Sequence, residues 1–193
     1  ELKSWLGDKE GLLSWKLDGL TIVLTYEGGQ LVKAVTRGNG EVGEVITPNA
    51  RVFRNIPGRI PYQGSLVLRG EAVIPYSEFE KINAQIEDAD AKYKNPRNLC
   101  SGSVRQLNNE ITAKRSVYFY AFSYVKAELD GAEPPFENDR ENQFRFLKEQ
   151  GFDVVPYKRV NADTIMAEIE WYAQAIQTYD IPSDGLGLCY SDP

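Results

Sequence analysis

Apolar and polar residues alternate through much of the first third of the chain, the period of strands rather than helices. Residues 12–18 and Leu20 to Tyr26 read as two strands, with Gly19 letting the backbone turn between them. Glu27-Gly28-Gly29-Gln30 is a hairpin turn, and Leu31 to Arg37 is the return strand. Residues 44–52 read as a short helix, and the segment from Pro57 to Pro61 as irregular. Ser65 to Ile74 alternates again around Arg69-Gly70-Glu71, where a glycine marks a bulge or a close backbone approach. Ser77 and Glu80 have capping-box spacing, followed by a stripe of Phe79, Ile82 and Ile86. Pro96 opens another helix, read through Leu107. From Val117 to Val125 the pattern places Tyr118, Tyr120, Phe122 and Tyr124 on one face of a strand, and Val117, Phe119 and Ala121 on the other. A loop over 127–137, a helix from Glu137 to Gln150, a strand over 153–159, a helix over 163–178 and a strand over 183–190 complete the reading.

Length allows one large domain or two small lobes, since 193 residues bury an ample core. No apolar run is long enough to span a bilayer, so no membrane partner is expected. The first residue is not Met, and we read the chain as a fragment. Two cysteines, Cys100 and Cys189, form no disulfide framework and have no neighbouring zinc ligands; they fit a reducing, cytoplasmic setting. The absence of histidine excludes Ser-His-Asp and Cys-His mechanisms and every His-ligated metal site. Acid–base or nucleophilic work then falls to Lys, Asp, Glu, Tyr or a hard cation such as Mg²⁺. A net charge of −6 argues against a general nucleic-acid clamp. Between Lys92 and Arg115, however, six cations face only Glu110, a local basic stretch on an acidic body.

The candidate chemistry centres on Lys16 and Asp18, which alternation puts on one face, one pleat apart. A lysine amine becomes nucleophilic when desolvation or nearby cations free its lone pair. A surface ion pair on an edge strand explains the same two residues. Thr36-Arg37-Gly38-Asn39-Gly40 through Glu44 suits a loop whose backbone approaches a phosphate, or equally a plain hairpin turn. Arg97, Ser101 and Arg105 recur every four residues, a face that either holds phosphate oxygens or is simply solvated.

Taken in order, these stretches are more telling. Lys16-x-Asp18-Gly19, Thr36 to Glu44, Arg69-Gly70-Glu71, Asn95 to Leu107, the aromatic strand and Asp184-Gly185 resemble the successive motifs of bacterial NAD-dependent DNA ligases. The resemblance implies an α+β nucleotidyltransferase (ATP-grasp-like) domain spanning 1–193, with antiparallel sheets flanked by helices around a nucleotide cleft. It implies NAD⁺ as AMP donor, Mg²⁺ as cofactor, and nicked duplex DNA and the remaining ligase domains as partners in a bacterial cytoplasm. Lys16 would then be the nucleophile and Asp18 its supporting carboxylate. Lys16, Leu17, Arg37, Glu71, Phe122 and Asp184 would hold the nucleotide, with Phe122 stacked on adenine. Glu71 and Asp184 would bind the metal, and Arg97 and Arg105 the nick phosphate. The nicotinamide-mononucleotide-binding helical subdomain and the oligonucleotide-binding, zinc, helix–hairpin–helix and BRCT domains are expected to lie outside this segment, leaving it weakly active alone.

Two positions depart from the family pattern. Ser14 stands where the family has a glutamate that contacts adenine, and Cys189 where it has a lysine. Losing that cation removes charge beside the α-phosphate unless another Lys or Arg replaces it. The alternatives are a non-catalytic nucleotide- or DNA-binding relic of the fold, and an ATP-using ligase or capping-type enzyme.

Overall fold

The structure, a computed structural model, describes residues 2–37, 43–134 and 139–190. Its strands are β1 (Gly11–Leu17), β2 (Leu20–Glu27), β3 (Gln30–Arg37), β4 (Ser65–Val73), β5 (Tyr118–Glu128), β6 (Tyr157–Val160) and β7 (Ser183–Tyr190). Its α-helices are α1 (Leu2–Leu6), α2 (Thr47–Ala50), α3 (Tyr76–Ala84), α4 (Pro96–Val104), α5 (Asn109–Ala113), α6 (Arg140–Glu149) and α7 (Ile165–Ala175). The strands form two sheets, ordered β6-β1-β7 and β3-β2-β4-β5, and every strand pairing within them is antiparallel. No helix of the described residues is long and apolar enough to cross a membrane.

Strand alternation builds the layers. Ile22, Leu24 and Tyr26 of β2 point with Leu66 and Leu68 of β4 into one core, closed by Leu99, Cys100 and Val104 of α4 and Leu147 of α6. A second core joins the two sheets, with Leu12, Trp15 and Leu17 of β1 packed among Val73, Phe144 and Val155. A third, of Leu6, Leu13, Val160 and Ile165, seats the two terminal-most helices against the smaller sheet. The crossing from β1 to β2 therefore carries the chain from one sheet to the other, and Asp18-Gly19 is the joint.

Several expectations change in physically legible ways. Lys16 lies on the central strand of its sheet, not on an edge, and β1 ends at Leu17, so Asp18 belongs to the joint. The helix read over 44–52 shrinks to α2: Glu44 to Ile46 runs beside β3, with Thr36 N–H donating to Glu44 and Ile46 N–H to Ala34, and Pro48 then confines the helix start. The capping box is not made. Pro75 is the N-cap of α3, and the Ser77 hydroxyl donates to Asp180 instead. The Pro96 helix ends at Val104, and α5, capped by the Asn108 side chain, follows. β5 runs three residues beyond Val125, and two register shifts against β4 interrupt its alternation. Each extra residue flips the phase, so Tyr124 joins the α4 side while Tyr118, Tyr120 and Phe122 stay on the other. The strand read over 153–159 shortens and shifts to β6, and the 163–178 helix shortens to α7. Within the glycine loop, 38–42 lies outside the described residues, as do 135–138 at the predicted start of α6.

Candidate active site

Lys16 is exposed at the end of the central strand, and its backbone is pinned on both sides. Trp15 N–H donates to Pro156 and Asp18 N–H to Pro182, each at 2.8 Å, and the Ser183 hydroxyl donates to the Lys16 carbonyl at 2.8 Å. Opposite Lys16, β7 slips: Lys16 pairs with Gly185 but Leu17 with Ser183, leaving Asp184 as the extra residue of a bulge. The bulge leaves Asp184 within electrostatic reach of Asp18. The Asp18 carboxyl lies above its ordinary value, chiefly through burial, with Asp184 adding to the rise while Arg97 and Lys16 oppose it. Arg97 Nη1 stands 3.7 Å from Asp18, an exposed pair of modest strength.

Glu71 is the most deeply held carboxyl of the site. Burial pushes it from 4.5 up to about 7, against the pull of two hydrogen bonds to its charged form, from the Thr21 hydroxyl at 2.8 Å and Gly19 N–H at 3.0 Å. Register explains the arrangement: Thr21 faces Arg37 on one side and Glu71 on the other, and Glu71 faces Tyr120, so four side chains form a row across the larger sheet.

Because the folded value of Glu71 lies above the unfolded one, its protonated form favours the fold. That contribution is complete below about pH 4.5 and disappears as pH rises toward 7, a change on the order of 3 kcal/mol. Urea midpoints for wild type are expected to fall across this window relative to Glu71→Gln, which has no proton to lose. Parallel midpoints would assign the slope to other groups.

Beside this row a cavity of about 230 Å³ opens, lined by Lys16, Leu17, Thr21, Glu71 and Phe122, with Ser14, Gly187 and Arg140 among its other walls. It is smaller than pockets for drug-sized ligands. The phase slip in β5 falls at Phe122, whose side chain lines this cleft. A larger groove of about 850 Å³, between Trp15 and Trp171, holds none of the predicted site residues.

Four predicted residues thus line one cleft: Lys16, Leu17, Glu71 and Phe122. Asp18 and Asp184 do not line it, but Asp184 acts electrostatically on Asp18. Arg37 does not line it but stands across β2 from Glu71, at the entrance to the undescribed 38–42 segment. Arg97 on α4 and Arg105 at its C-cap are both exposed, and Arg105 is engaged by Ser101 and by Glu44 at 3.6 Å. Sequence reasoning missed Thr21 and Arg140. Thr21 was readable as the position facing Arg37 once the hairpin register is drawn, whereas Arg140 carries no local signal.

For a divalent cation, the described residues contain no cage of three Asp, Glu, Cys or His side chains. Asp18 and Asp184 lie close enough for their charges to interact, and Mg²⁺ commonly takes one or two carboxylates and completes its shell with substrate phosphates and water.

Two antiparallel sheets meeting at a lysine-bearing cleft define a nucleotidyltransferase fold. The fold matches a solved mycobacterial DNA ligase D complexed with ATP and MES, with a TM-score of 0.54 over 97% of this chain and 51% of that one, at 16% identity. More specifically, residues 4–190 match the family of the NAD-dependent DNA ligase adenylation domain, and the chain belongs to it. The DNA ligase of Ruminiclostridium cellulolyticum is 61% identical over 191 residues, and that of Lachnoclostridium phytofermentans 62% over 192. Each alignment covers 99% of this chain but only 28% and 29% of the respective relative, so the chain spans less than a third of their length.

Proposed function

We propose that this domain carries out the adenylation step of an NAD⁺-dependent DNA ligase, with Lys16 as nucleophile. The Lys16 amine attacks the α-phosphorus of NAD⁺, nicotinamide mononucleotide leaves with the bond electrons, and a lysyl-AMP phosphoramidate remains. AMP then passes to the 5′-phosphate of a DNA nick, and the 3′-hydroxyl displaces it, sealing breaks of the kind left by replication and repair. The observation that carries this reading is that Lys16 shares one cleft with Glu71 and Phe122. Phe122 offers a ring for adenine to stack on. Glu71 and Thr21 offer a carboxyl and a hydroxyl to the ribose. Asp18 and Asp184 would hold Mg²⁺, which supplies charge neutralisation at the phosphates when bound. Arg97 and Arg105 present guanidinium groups on an outer face, where the nick phosphate approaches. Phosphoryl transfer depends mostly on positioning and charge, so a chain without histidine is equal to it.

Intact-mass analysis of the full-length protein with NAD⁺ and Mg²⁺ tests this. We expect the mass of one adenylyl group to be gained with NAD⁺ and not with ATP. One observation favours a second, non-catalytic reading: Cys189 turns its thiol toward the Leu12 carbonyl, 3.8 Å away, where a cation belongs in the family. Nucleotide binding without any mass gain would decide for that reading.

A further inference from the structure

The geometry assigns Arg140 as the second cation of the Lys16 cleft, a substrate-contacting residue for the nucleotide's phosphate. This rests on the proposed nucleotide site but concerns a residue that no sequence motif marks. Three observations carry it. First, Arg140 lines the same cavity as Lys16, Glu71 and Phe122. Second, it is held in place. It is the first residue of α6, whose Asp139 cap accepts from Glu141 and Asn142 N–H and whose Phe144 and Leu147 are buried. Its Nη2 donates to the Phe122 carbonyl at 3.0 Å, and its guanidinium lies 5.5 Å from the Phe144 ring centroid. Third, its charge is uncommitted among the described residues. Glu71, the carboxyl that lines the same cavity, is held by Thr21 and Gly19, and the neighbouring Glu141 pairs with Arg145 and Arg159.

The cleft needs such a charge. β7, which contributes Gly187 to it, contains no Lys or Arg. A half-buried guanidinium with one donor spent on a carbonyl keeps others free in a planar fork, the geometry that suits phosphate oxygens. Arg140 thereby supplies, from a helix of the neighbouring layer, the positive charge that the cleft's own strand lacks. The same hydrogen bond ties that charge to the backbone of the stacking residue, so base and phosphate are placed together.

The test separates a phosphate contact from mere support of Phe122. In the full-length protein, Arg140→Gln removes the charge while leaving a polar side chain, and Arg140→Lys keeps the charge. Calorimetric titration with AMP and with adenosine is expected to show Arg140→Gln weakening AMP by about 10- to 100-fold, as for a lost charge-assisted hydrogen bond, with adenosine nearly unchanged. Arg140→Lys is expected to recover part of the AMP affinity. Equal losses for AMP and adenosine, or no loss for either, overturn the assignment. The mass gain of wild type with NAD⁺ is read separately: its absence alongside AMP binding sinks the adenylation reading and leaves the Arg140 comparison to be judged on its own.

Discussion

Lys16→Arg in the full-length protein is expected to bind AMP within a few-fold of wild type and to form no covalent adenylate, a loss of at least about 10⁴-fold in the chemical step. Arginine keeps the positive charge and most of the length, so electrostatics in the cleft is preserved. What it lacks is a lone pair that can be freed, because the guanidinium stays protonated. Lys16 is exposed at the mouth of the cleft with its backbone fixed by Pro156, Pro182 and Ser183, so the substitution has room and little reason to unfold the strand. Single-turnover mass spectrometry with NAD⁺ and calorimetry with AMP read the two quantities independently. Residual adenylate at even a tenth of the wild-type rate would remove Lys16 from the chemistry.

The second large effect is structural. Gly19→Ala is expected to destabilise the domain by about 3 kcal/mol or more and to weaken nucleotide binding in whatever remains folded. A β-carbon at Gly19 falls 1.9 Å from the Ala72 carbonyl oxygen and 2.9 Å from Val73 Cγ1. The Ala72 carbonyl cannot simply swing away: its residue sits in the β2–β4 ladder, and the oxygen also accepts from the buried Cys100 thiol at 3.1 Å. Relief therefore requires the joint between the sheets to move, and that joint carries Asp18 and the N–H bonded to Glu71. Urea denaturation with AMP titration checks both halves. A variant as stable as wild type would mean that the joint is looser than its contacts imply.

Local patterns marked most of the strands along the chain, whereas the roles expected of Lys16 and Glu71 came from the resemblance. Lys16, Glu71 and Phe122 lie far apart in sequence, and only their order along the chain tied them to one cleft. What escaped reading was non-local. Nothing in residues 11–27 says that β1 and β2 enter different sheets; that follows from Leu12 and Trp15 packing with Phe144 and Val155, and Ile22 and Leu24 packing with α4 and α6. The slips at Phe122 and Asp184 also lack a sequence signal. The Ser77–Glu80 cap failed because a tertiary partner, Asp180, outcompeted the local one.

The most direct test is to treat the full-length protein with NAD⁺ and Mg²⁺, digest it, and locate the AMP by tandem mass spectrometry. The account predicts a single acid-labile adduct on the side-chain nitrogen of Lys16. An adduct on any other residue, with Lys16 recovered unmodified, would contradict it.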